Sequence, residues 1–310
     1  MQPAPVPNDS LWFDALVMFS IVASLTTLAT MAVGMARGRV LAYEPRRPVP
    51  WTWFELVLIL VAQILIVEGA HWAGAAWCGP PADRPRQEVP VDEELQAAHP
   101  LVVLLQQSPA PGTLALAVLV AVVIAPVTEE FLFRLVILGW LERLERRTRR
   151  RVPLLRAAAR GSGPLLLTSI MFAALHYRAE PPTSSPQELV RIFATTAVVS
   201  LATLGFGITI LRAVRRATWQ DLGFVPAELW PDICLGLQSF LALLAPIYLL
   251  QFLLRVFFTA HPIVDPISLF FFSLALGLLY LRTHRIVPSI VLHMALNATS
   301  LAMAWAIAPA

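Results

Sequence analysis

Three short patterns in this chain place ionisable or amide side chains inside otherwise apolar runs: Glu129-Glu130 with Arg134, Phe172 with His176, and His293 with Asn297. An ionisable group at membrane depth costs about 2.5–3.5 kcal/mol on insertion scales, so function is the first reading of such a group. Carboxylate, imidazole and carboxamide buried together suit the activation of water. Residues four apart share a helical face, which pairs Glu130 with Arg134, His293 with Asn297, and the Phe172 ring with the His176 imidazole. Glu130 and Arg134 are thus spaced for a buried ion pair, which keeps both charges tolerable. Glu129 points about 100° away from Glu130 and need not share that partner. It is the better candidate for a free general base.

The elements that must carry these residues are membrane helices. Of 310 residues, 57% are apolar and 14% charged, with a mean hydropathy of +0.69. Soluble chains average roughly 45–50% apolar and 25% charged. A span needs about 20 apolar residues. By that measure the chain is an all-α, polytopic helix bundle of about eight transmembrane helices in one domain. They are expected over 11–35, 51–78, 113–141, 164–176, 189–211, 233–258, 266–281 and 286–307. Only four residues separate the last two, which leaves a single broken helix as an alternative reading. Residues 79–100 read as an external loop, Arg143 to Arg160 as a solvated basic loop suited to anionic lipid, and 113–176 with 266–300 as the catalytic core.

All 23 basic residues are arginines, and most cluster after alternate spans, as topology determinants do, while Arg84, Arg86, Arg178 and Arg191 run against the bias without reversing it. Arg37, Arg39, Arg46 and Arg47 follow the first span, Arg143 to Arg160 the third, Arg212 to Arg216 the fifth, and Arg282 with Arg285 the seventh. The positive-inside rule then places both termini outside the cytoplasm of a multi-pass membrane protein. The all-arginine composition suggests a bacterial cytoplasmic membrane. The net charge of +3 is spent on topology, and nothing resembles a nucleic-acid surface. Helical rise puts Glu129 and Glu130 about 20 Å from the basic end, His176 about 20 Å, Asn297 about 18 Å and His293 about 12 Å. Polar groups from three separate helices meet at similar depth.

These motifs resemble the CPBP family of intramembrane proteases, which includes CAAX prenyl endopeptidases and the bacteriocin-processing (Abi) proteins. Glu129 to Arg134 match EExxxR, Phe172 to His176 match FxxxH, and His293 to Asn297 match HxxxN, preceded by Gly277, Arg282 and Thr283. The resemblance implies an endopeptidase acting on a peptide or protein substrate, membrane-associated or prenylated. Glu129 would activate water with the help of His176, while His293 and Asn297 would stabilise the oxyanion. Glu130, Arg134 and Phe172 would support the site. No cofactor is the expected state. The alternative is a zinc ion on His176, His293 and Glu129, although the HExxH of ordinary zincins is absent. One departure stands out: about 85 residues, including two spans and a DLGF segment (Asp221 to Phe224), separate FxxxH from HxxxN. Competing functions are a non-enzymatic immunity or scaffold protein, and a transporter with carboxylates at the midplane.

Overall fold

A computed structural model describes residues 9–78, 111–151, 159–177, 186–258 and 264–307. The expected loop 79–100 lies outside these residues, as do 152–158 of the basic run. Eight helices and no strand occur among the described residues. They are α1 (Asp9–Ala36), α2 (Trp53–Cys78), α3 (111–151), α4 (Ser162–Leu175), α5 (Pro186–Arg215), α6 (Leu229–Phe257), α7 (Val264–Thr283) and α8 (Val287–Ile307). Lipid offers no hydrogen bonds, so long apolar runs must satisfy their backbones internally, and helices result. Six of them are long and apolar enough to cross a membrane, while α4 is shorter. At 14 residues α4 rises about 21 Å, less than the roughly 30 Å of hydrocarbon. The protein is an integral, multi-pass membrane protein.

The linkers α1–α2, α5–α6 and α7–α8 meet at one end of the bundle with the end of α3 and the start of α4, so successive helices run in opposite directions. There the Glu44 amide donates to Arg282 O, Arg46 to His284 O, Arg146 to Arg46 O, and the Ile286 amide to Gly223 O. Gly161 N–H donates to Glu145. These are the arginine-rich segments of the sequence.

At the centre, α3 packs against α4, α5, α7 and α8, with α2 outside α5 and α1 outside α6. Phe131 to Leu138 of α3 are all buried. The outer helices do the reverse. Phe19 on α1, Leu65 on α2 and Phe252 on α6 are more than 60% exposed, which makes a lipid-facing surface. The DLGF segment is a turn between α5 and α6. Asp221 accepts from the Thr218 amide and hydroxyl, and Gly223 adopts φ +72° so that its carbonyl reaches the start of α8.

One expectation needs correction. The basic segment from Arg143 to Arg151 continues α3 as helix, carried by Glu142–Arg146 and Glu145–Arg149 pairs one turn apart. The last two helices are separate, as the span count expects, and form a hairpin; the alternative of one broken helix does not hold. His284 turns the chain with φ +51°, Ser289 Oγ donates to Leu276 O, and Phe272 meets His293 across the pair.

α3 itself is irregular, with π-helical stretches at Val120–Ile124 and Phe131–Leu138 around α-helical Ala125–Glu130. The first has a local cause. The Ala125 amide reaches back to Val120 O, and the next residue, Pro126, has no N–H to offer Ala121 O. That carbonyl is left for a side chain from elsewhere. π-segments of this kind occur frequently at functional sites.

Candidate active site

Glu130 and Arg134 are fully buried and paired, with Nε 3.2 Å from Oε2. Arg134 also donates to Ser273 Oγ on α7 at 2.9 Å, and its guanidinium lies over the Phe172 ring at 5.4 Å. Gly277 lets Leu165 of α4 pack closely on α7, since a Cβ there would sit 2.4 Å from the Leu165 side chain. The second carboxylate oxygen of Glu130 faces His293 Nδ1 at 3.1 Å. A carboxylate can only accept, so Nδ1 carries the proton. His293 Nε2 is thereby directed to the other side, 3.8 Å from Glu129 Oε2.

His176 reaches the same oxygen from α4. The helix ends at this residue, and its Nδ1 lies 2.7 Å from Phe172 O, which again can only accept a hydrogen bond. Its Nε2 is 3.7 Å from Glu129 Oε2. Phe172 stacks on His176 with centroids 4.4 Å apart and stands edge-on to Phe133 at 5.1 Å, while Phe272 is edge-on to His293 at 5.3 Å. Both imidazoles are held in orientation by packed rings. The neighbouring glutamates thus have opposite environments: the Glu130 side chain is sealed at 0% exposure and Glu129 stays 28% accessible without an arginine partner.

Asn297 is placed differently. Its Nδ2 donates to Ala121 O at 2.8 Å, which fills the acceptor that Pro126 leaves without a backbone donor. Ala121 lies two helical turns before Glu129, so this amide bonds neither Glu129 nor an imidazole. Three helices, α3, α4 with its end at His176, and α8, therefore bring Glu129, Glu130, Arg134, Phe172, His176 and His293 together, and Asn297 flanks the group through α3. Among the described residues, no set of three His, Cys, Asp or Glu side chains is arranged to hold a metal ion. Both Nδ1 atoms are engaged, which leaves each Nε2 facing Glu129.

The family model for Rce1-like type II CAAX prenyl endopeptidases matches residues 111–299, well over half of the chain. This protein belongs to that family. No curated protein and no solved structure matches the chain. The family match begins with α3 and ends inside α8, so it contains all the site residues and runs through α5 and α6 between FxxxH and HxxxN. α1 and α2 lie outside it. Membership in an endopeptidase family makes hydrolysis of peptide bonds the activity, in a membrane setting. Within the family site, Ser273, Phe133 and Phe272 were not legible beforehand. A lone serine after three phenylalanines carries no spacing signal, and only the fold brings it to Arg134.

Proposed function

We propose that this protein is an intramembrane endopeptidase in which Glu129 activates water with the help of His176 and His293. One observation carries the reading. Two imidazole Nε2 atoms, each with its Nδ1 committed, converge on one oxygen of Glu129 at 3.7 and 3.8 Å. Those separations exceed a direct hydrogen bond and suit a bridging water. Glu129 takes a proton from that water, its oxygen attacks the peptide carbonyl carbon, and the proton passes to the departing amine as the C–N bond breaks. His176 Nε2 accepts the second hydrogen of the water and orients it.

The oxyanion needs donors. His293 Nε2–H serves as one such donor, with the Glu130 carboxylate on its Nδ1. Asn297 contributes the amide hydrogen not used on Ala121 O. Glu130, Arg134 and Phe172 hold this arrangement, and no step requires a metal. The substrate is a membrane-associated peptide or protein, with the prenylated CAAX type named by the family as the first class to assay. The arginine-rich linker end faces the cytoplasm and both termini face out, as the positive-inside rule requires.

Purified protein in liposomes, with a cleavable membrane peptide, provides the test. His176→Ala and His293→Ala should each lower kcat by about 10²–10⁴-fold, the usual contribution of a positioned acid or base, and a chelator should change nothing. Undiminished cleavage by either variant, or loss of activity on chelation restored by zinc, would refute the scheme.

A further inference from the structure

At the linker end, where α2 begins and α3 leaves the hydrocarbon, a second site has features that peptide hydrolysis does not use. A pocket of about 240 Å³ is lined by Thr52, Trp53, Trp140, Arg143, Leu144 and Arg147. This is smaller than the roughly 300–1,000 Å³ typical of pockets that enclose drug-sized ligands. It is the size of a headgroup, not of a folded peptide.

Charge in this pocket is unbalanced. Arg143 and Arg147 stand one turn apart on α3, a like-charge spacing that repels. Arg143 is fixed by donating to Val49 O at 2.9 Å and Trp51 O at 2.6 Å, two neutral acceptors. Arg147 is exposed and has no ion-pair partner among the described residues. The nearby acids are committed elsewhere: Glu55 to Arg215 and Thr52, Glu142 to Arg146, and Glu145 to Arg149 and Gly161 N–H. Among the described residues, two positive charges therefore face the pocket without an ion pair of their own, and Glu55, which acts on Arg143 through space, is bound to Arg215.

Its rim is apolar on the lipid side. Trp53 is 62% exposed and Leu144 45%. Tryptophans at this level are the residues that sit among headgroups. Basic pockets between helices on the cytoplasmic side suit anionic lipid headgroups. We infer that this pocket binds the phosphate of an anionic phospholipid, with Arg143 and Arg147 on the phosphate oxygens and Trp53 and Trp140 against the glycerol and upper acyl chain. Arginine's planar fork favours bidentate contact with phosphate.

Native mass spectrometry of the full chain, released from mixed micelles of phosphatidylglycerol and phosphatidylcholine at physiological salt, tests the inference. Wild type should retain phosphatidylglycerol in preference. Arg147→Gln should lose about fivefold of that retention, the factor expected for one arginine charge at an anionic lipid surface. Arg39→Gln, which removes an exposed charge at the same end, should lose none. Millimolar inorganic phosphate should not displace the lipid. Equal retention of both lipids, equal losses in the two variants, or displacement by phosphate would each overturn the assignment, the last by showing a site for free anions. The unfolding midpoint of Arg147→Gln in lipid-free detergent should match wild type. A second readout is quenching by brominated phosphatidylglycerol. It should exceed that by brominated phosphatidylcholine and shrink in Trp53→Phe/Trp140→Phe, and equal quenching would reject the pocket. Proteolysis enters neither readout, so the catalytic scheme stands or falls separately.

Discussion

The mid-membrane site and the linker end are made from the same residue types, yet their charges are arranged to different ends. At the linker end the buried acids among the described residues each have an arginine ion-pair partner. Asp232 pairs with Arg285 at 2.7 Å, Glu228 and Glu44 join the same arginine, and Glu142 pairs with Arg146 beside His284. That region fastens three linkers to the ends of α3 and α4. In the site, Glu130 is answered by Arg134 and His293, while Glu129 beside it meets only two imidazoles at water-bridging distance. A sealed pair supports one carboxylate that remains available. On the proposed mechanism, stability and reactivity are divided between adjacent residues of one helix.

The largest effect should come from breaking the sealed pair. Arg134→Ala leaves Glu130 buried without its cation, which costs about 3–5 kcal/mol. Thermal or denaturant unfolding in detergent should show it as poor yield or a strongly lowered midpoint. A variant with wild-type stability would mean that Glu130 is solvated, contrary to its burial.

The linker end should respond to acid. Burial and the neighbouring Arg46 and Arg146 push His284 down to about 4. Its ordinary value is about 6.5. Above that value the residue is neutral whether the chain is folded or not. As pH falls from about 6.5 towards 4, the unfolded chain takes up a proton that the folded protein resists, so stability drops by up to about 3 kcal/mol. Unfolding midpoints measured across that range should fall, and His284→Gln should flatten the decline. An unchanged slope in that variant would remove His284 from the account.

Ser273→Ala is a finer probe. It removes the hydroxyl that holds Arg134 at 2.9 Å and should cost about 1–3 kcal/mol as an unmet buried donor. Because Arg134 acts through Glu130 on His293, kcat should fall with KM little changed, and Ser273→Thr should restore part of it. Equal loss in both variants would reduce Ser273 to packing.

Much of this could be read beforehand, and the failures have physical causes. Long apolar runs and alternating arginine clusters specify the helices and the shared linker end, because lipid allows no other backbone solution. The spacing of Glu130 and Arg134 was visible because one helical turn relates them. The π-helical stretch was not, since it depends on Pro126 withholding a donor from Ala121 O and on Asn297, 176 residues away, supplying one. Ser273 likewise gains meaning only when α7 crosses α3 at Gly277. The helical continuation through Arg151 was hidden because a dense arginine run resembles a solvated loop unless its Glu–Arg pairs are counted. His284, in a four-residue linker, gave no hint that the fold buries it to 4% exposure.

The central claim is that Glu129, and not its neighbour, handles the water. The direct measurement compares Glu129→Gln and Glu130→Gln as purified proteins in liposomes, each assayed for peptide cleavage and for unfolding midpoint. Glu129→Gln should retain the wild-type midpoint and lose at least about 10²-fold in kcat, whereas Glu130→Gln should lose stability as well. Cleavage by Glu129→Gln at the wild-type rate would contradict the account.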